Sequence, residues 1–166
     1  MSDQQLSRPG ATSRSGTVAP YAIRAERFTY RYPPFHPSGE ARTVLEDLDV
    51  VVPEGQVVGL VGASGSGLTT FCLALAGIVP HETGGTVRGW LEVAGCETTS
   101  VTPSELARRV GIVFEDPEAN LIGLSVADEV AFALELAGLP PAEIDQRVQR
   151  ALALVGLARL ADRPAG

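Results

Sequence analysis

Gly62-Ala63-Ser64-Gly65-Ser66-Gly67-Leu68-Thr69-Thr70 lies between two apolar runs, Gln56 to Val61 before it and Phe71 to Ile78 after it. Its spacing is that of a phosphate-binding loop, G-x-x-x-x-G-K-[ST], with Gly62, Gly67 and Thr69 in place and Leu68 where the pattern carries lysine. The glycines let successive backbone N–H groups converge on a phosphate chain that side chains would otherwise obstruct. The ammonium that normally reaches the terminal phosphates is absent. A helix N-terminus with exposed N–H groups remains an anion site without it. On the loop alone, a tight strand-to-helix turn with no ligand stays open as the alternative.

The rest of the composition narrows the class. A chain of 166 residues suffices for one domain with a sizeable core. Its formal net charge of −7 argues against a broad nucleic-acid surface. There is no lysine anywhere: all 13 basic residues are arginine, so no other lysine substitutes for the one missing at position 68. Cys72 and Cys96 lack metal-ligand spacing, and Cys72 reads as a small core residue. Met1 to Pro20, rich in Ser, Gly, Thr and Gln without an apolar segment, reads as a disordered tail and not a signal peptide. No apolar run reaches membrane-spanning length.

Outward from the loop, alternation predicts strands over Ala22 to Tyr32, with Phe28, Tyr30 and Tyr32 on one face, over Thr43 to Val52, and over Thr86 to Ala94. Gln56 to Val61 and Val110 to Phe114 read as strands buried on both faces of a parallel sheet. Thr69 to Ile78 reads as a helix enclosed in the core. Thr102-Pro103-Ser104-Glu105 and Ser125 with Asp128 are capping signals. The second opens a helix with Val126, Val130 and Leu134 on one face. Pro140-Pro141 opens another, with Ile144, Val148, Leu152 and Val155 inward and Gly156 as its stop.

Together these segments resemble the nucleotide-binding subunit of ABC transporters, and within it the energy-coupling-factor branch for cobalt and vitamin uptake. Phe28 to Pro33 is similar to a first strand ending in F-x-Y-P; Val110-Gly111-Ile112-Val113-Phe114-Glu115-Asp116-Pro117 is similar to V-G-x-V-F-Q-D-P; Asp128-Glu129-Val130-Ala131-Phe132 continues the pattern. The resemblance implies an α/β P-loop NTPase core, with a core sheet and P-loop to about 115 and the start of a helical subdomain at about 116–166. It implies Tyr32 stacked on adenine and phosphates held by Gly62, Ala63, Ser64, Gly65, Ser66, Gly67, Leu68, Thr69 and Thr70. Thr69 would ligate Mg²⁺ beside ATP, with Glu115 at a second metal-contacting position. It further implies a transmembrane transporter subunit and a second ATP-binding subunit as partners, and a cytoplasmic, peripheral place at the inner face of the membrane.

Three departures qualify that expectation. Leu68 replaces lysine and Glu115 replaces glutamine, moving the site by as much as two charge units toward negative. Two unit charges about 5 Å apart at an effective dielectric near 20 interact by roughly 3 kcal/mol, so ATP affinity is expected to fall about 10- to 100-fold. Thirdly, the sequence ends at Gly166, soon after Asp162-Arg163-Pro164. The signature motif, Walker B strand, catalytic glutamate and switch histidine of the resemblance would follow that segment. No catalytic residue is therefore assigned, and hydrolysis by this chain is expected to be weak or absent. The alternative is a degenerate, non-catalytic module that docks on a transmembrane or ATPase partner through Asn120 to Val155.

Overall fold

A computed structural model describes residues 21–165. The expected tail, Met1 to Pro20, lies outside them. Two compact units divide after Ile112.

In the first unit, β1 (Tyr21–Tyr32) and β2 (Arg42–Pro53) form a long antiparallel hairpin. α1 (Leu68–Leu75) and the single-turn α2 (Ile78–His81) follow. β3 (Thr86–Val93) then pairs with the other edge of β1, and the two-residue β4 (Cys96–Glu97) with β3, giving the order β2-β1-β3-β4. α3 (Pro103–Leu106) opens on the expected capping box: Thr102 Oγ1 accepts from Glu105 N at 3.3 Å while Glu105 Oε2 accepts from Thr102 N at 2.9 Å.

Alternation puts Phe28 and Tyr30 on the inner face of β1, and both are buried with Leu45, Leu91 and Val93 against Phe71 and Ala74 of α1. Burying a side chain of this size stabilises by about 1.5–3 kcal/mol. The Tyr30 hydroxyl is satisfied within the core: it donates to Gly84 O at 2.7 Å and lies 2.9 Å from Thr83 Oγ1. Four register shifts interrupt the hairpin, and two of them bear on the site. One lies between Ala25 and Phe28, where Arg27 and Asp47 both take positive φ. The other inserts Val44 as an extra residue between the pairs Tyr30–Leu45 and Arg31–Thr43.

Four expectations are corrected here. Gln56 to Val61 and Val110 to Phe114 are not strands: among the described residues neither has a ladder partner. Val57, Val61 and Val113 are almost fully exposed. An apolar run can signal a two-sided burial that only neighbouring strands provide, and the four-stranded sheet offers these segments none. The helix after the loop is also shorter than expected, because Gly77 at φ 72° ends it before Ile78. It buries one side only, Thr70, Phe71 and Ala74, and Cys72 is exposed on another.

In the second unit, a short 3-10 turn (Glu118–Asn120) leads to α4 (Val126–Leu136) and α5 (Pro141–Leu154), which pack on each other. Ser125 and Asp128 form the second capping box, with bonds of 3.0 and 3.2 Å. Val126 N donates to Arg163 O and Ala127 N to Ala161 O, both at 2.9 Å, tying the end of the chain to the start of α4. Val148 and Leu152 are buried as expected, whereas Val155, one residue beyond α5, is exposed because Gly156 turns the chain away.

Candidate functional site

The glycine loop is held by its last glycine. Gly67 is the N-cap of α1 at φ 91°, a backbone conformation that side chains resist. It also presses on the hairpin: a Cβ there would lie 2.9 Å from Leu45 Cδ2 and 3.0 Å from Val44 O. A glycine is thus demanded twice, by the turn and by the close approach to β2. Within the loop Ser66 N donates to Ala63 O at 3.0 Å. A Cβ on Gly62 would collide with Ser66 Oγ at 2.5 Å.

No side chain caps α1. The first intrahelical bond runs from Phe71 N to Gly67 O at 2.8 Å, so the N–H groups of Leu68, Thr69 and Thr70 precede any intrahelical acceptor. They put the positive end of the helix dipole at the end of the glycine loop, which suits an anion. Thr69 is exposed in this first turn and its hydroxyl suits a hard cation. Among the described residues no group of three His, Cys, Asp or Glu could hold a metal ion without help. A divalent ion at Thr69 would therefore rely on oxygen ligands brought by the anion itself.

The structure brings Tyr32 to this helix. Its ring meets Tyr30 edge-on, with centroids 4.7 Å apart, and its hydroxyl lies 3.4 Å from Thr70 Oγ1. An aromatic face and a set of phosphate-type amides are thereby set on one framework. Leu68 is half-buried, and its Cδ1 would lie 3.6 Å from a Cβ on Gly62, so an apolar side chain folds back along the loop where the motif has an ammonium.

Glu115 belongs to the second unit, exposed at a bend. The most organised feature of that unit was not anticipated from sequence. Glu129 Oε2 accepts from Gly123 N at 2.6 Å and from Ile122 N at 2.8 Å. These amide bonds, that of Gly123 first, hold the Glu129 carboxyl below its ordinary range. Gly123 cannot carry a side chain, since a Cβ would lie 2.4 Å from Glu129 N. The clamped segment presents Ile122 at 65% and Leu124 at 89% exposure. A glycine six residues before a glutamate was the only sequence signal, and it has no recognisable period.

Comparison with known proteins agrees with this geometry. The family model described as ABC transporter matches residues 45–166. A predicted ABC transporter ATP-binding protein of Streptomyces avermitilis is 45% identical over 126 residues, which cover 76% of this chain and 22% of that protein. One from Pyrococcus abyssi is 42% identical over 136 residues, covering 81% and 46%. The solved structure of CbiO1 from Clostridium perfringens, part of the ABC transporter complex CbiONQ, superposes with a TM-score of 0.69 at 26% identity, covering 87% of this chain and 54% of that one. The chain thus spans only about a fifth to a half of the length of these proteins. With the glycine loop in its expected place and more than two thirds of its residues matched, the chain belongs to the ABC transporter family and has the α/β fold of P-loop NTPases.

Proposed function

We propose that this chain binds Mg-ATP as part of the ATP-binding subunit of an ABC-type uptake transporter of the energy-coupling-factor kind, with little or no hydrolysis of its own. One observation carries the reading: the uncapped first turn of α1 follows a glycine loop seated on β2, and Tyr32 reaches the same turn through Thr70. Phosphates would be held by the amides of Ala63 to Thr70, Mg²⁺ by the Thr69 hydroxyl together with phosphate oxygens, and adenine by the Tyr32 ring. Bound ATP supplies the terminal phosphoryl group; the residues of this chain bind and orient it. Leu68 offers no charge to stabilise phosphoryl transfer. Weak hydrolysis follows.

Similarity to a protein described as part of the CbiONQ complex supports a transmembrane subunit as partner, and a second ATP-binding subunit beside it. No helix among the described residues is long and apolar enough to cross a membrane, so membrane association in this reading is peripheral, at the cytoplasmic face, through that partner. A second reading has its own support: the exposed Ile122 and Leu124, clamped by Glu129, would suit a non-catalytic docking module that needs no nucleotide. Titration of Mg-ATP into the protein and its Leu68→Lys variant separates the two. Saturable binding by either supports the nucleotide reading. If neither binds while a transmembrane partner still captures the protein, the docking reading replaces it.

A further inference from the structure

Arg42 occupies a position that the loop pattern does not assign. It opens β2, directly opposite Tyr32, the last residue of β1. Residues directly opposite in an antiparallel pair project from the same face of the sheet. Tyr32 uses that face to reach Thr70 in the first turn of α1. Two and three residues after Arg42, the Val44 carbonyl and Leu45 form the seat of Gly67. An arginine side chain is as long as a tyrosine side chain, so from this register its guanidinium can extend beside the Tyr32 ring toward the same helix end.

The backbone at this point is held, and the charge is uncommitted. Arg31, which faces the other way, donates from both Nε and Nη2 to Ala41 O at 3.1 Å, fixing the residue before Arg42. Arg42 itself is exposed and forms no ion pair among the described residues. Arg24 and Arg147, by contrast, are paired with Glu26 and Glu143. The loop has no cation of its own, and the chain has no lysine.

We infer that Arg42 is the cation of the nucleotide site, contacting the bound phosphates nearest the base in a site whose loop, with Leu68, has no ammonium for the terminal ones. The inference rests on the nucleotide reading proposed above. A guanidinium gives phosphate oxygens charge-assisted, bidentate hydrogen bonds. Its place beside the aromatic end of the site directs it to the phosphates nearest the base. Diphosphate and triphosphate nucleotides therefore gain from it alike, whereas a lysine at position 68 would favour the triphosphate.

Calorimetric titration of Mg-ATP and Mg-ADP tests this in the protein, in Arg42→Gln and Arg42→Lys, and in the same pair of substitutions on a Leu68→Lys background. Arg42→Gln is expected to weaken both nucleotides about 10-fold and to flatten the salt dependence of binding, with Arg42→Lys recovering most of the loss. The unfolding midpoint without nucleotide is expected to stay unchanged, since Arg42 is exposed. If the parent of either background binds nucleotide and Arg42→Gln stays within about 2-fold of it, the inference is overturned while the nucleotide reading stands. A loss confined to ATP also overturns it. Absence of any nucleotide binding by the protein and by Leu68→Lys overturns the nucleotide reading itself.

Discussion

The hydroxyl of Tyr32, at the end of β1, lies 3.4 Å from that of Thr70 in the first turn of α1. The Tyr32 ring is also packed edge-on against Tyr30, so its position does not depend on the hydroxyl alone. Tyr32→Phe is expected to leave Mg-ATP affinity within about 3-fold, because a long, half-exposed hydrogen bond contributes under about 1 kcal/mol. Tyr32→Ala removes the stacking face and should weaken binding by about 10-fold or more, at about 1–3 kcal/mol per stacked base. Equal effects in the two variants would show that the hydroxyl, not the ring, serves the ligand.

Gly67 and Gly65 both take positive φ, but only Gly67 is crowded. Gly65→Ala has open space and should cost about 1 kcal/mol of backbone strain. Gly67→Ala must in addition displace Leu45 and the Val44 carbonyl, so a loss of at least about 2 kcal/mol is expected. Denaturant midpoints of the two variants, read side by side, test the difference.

Acid should loosen the segment that Glu129 clamps. Its carboxyl is held below the ordinary value of 4.5 in the fold, chiefly by the Gly123 amide and then by that of Ile122. A depressed folded-state pKa contributes stability that is present above the unfolded value and lost as pH falls through the folded one. Amide exchange at Ile122 and Gly123 should therefore quicken as pH drops below 4.5, after correction for intrinsic rates. Glu129→Gln should exchange fast at every pH. The same sign applies to Glu105, held down by the Thr102 backbone and side chain at the start of α3.

Leu68→Lys restores the missing ammonium. Mg-ATP affinity should rise about 10- to 100-fold, and by more than Mg-ADP affinity does, because the new charge serves the terminal phosphates. Titration of both nucleotides measures the ratio. An unchanged ratio would place the position 68 side chain away from the phosphates.

The strands β1, β2 and β3 and both capping boxes were legible because their signals are local: alternation along Phe28, Tyr30 and Tyr32, and the three-residue reach from Thr102 to Glu105 and from Ser125 to Asp128. The glycine loop was legible for the same reason. Gln56 to Val61 and Val110 to Phe114 were misread because an uninterrupted apolar run describes the burial a segment would need, not the neighbours it has. Cys72 was misplaced because α1 is apolar nearly all round while only one of its sides meets the sheet. Arg42 and Glu129 were invisible to pattern reading. The first depends on strand register, and the second on a side chain reaching back along its own loop.

The extra residue at Val44 sets different tolerances to length change on its two sides. Between Pro33 and Ala41 the connection is exposed and turn-like, so residues can be gained or lost there at little cost. Between Arg42 and Leu45 they cannot. Deleting one residue would rotate Arg42 and Thr43 to opposite faces of the sheet and withdraw the carbonyl on which Gly67 rests. Homologous chains carrying an arginine opposite the strand-end tyrosine should therefore vary in the length of the preceding connection and hold the interval from that arginine to the buried leucine constant.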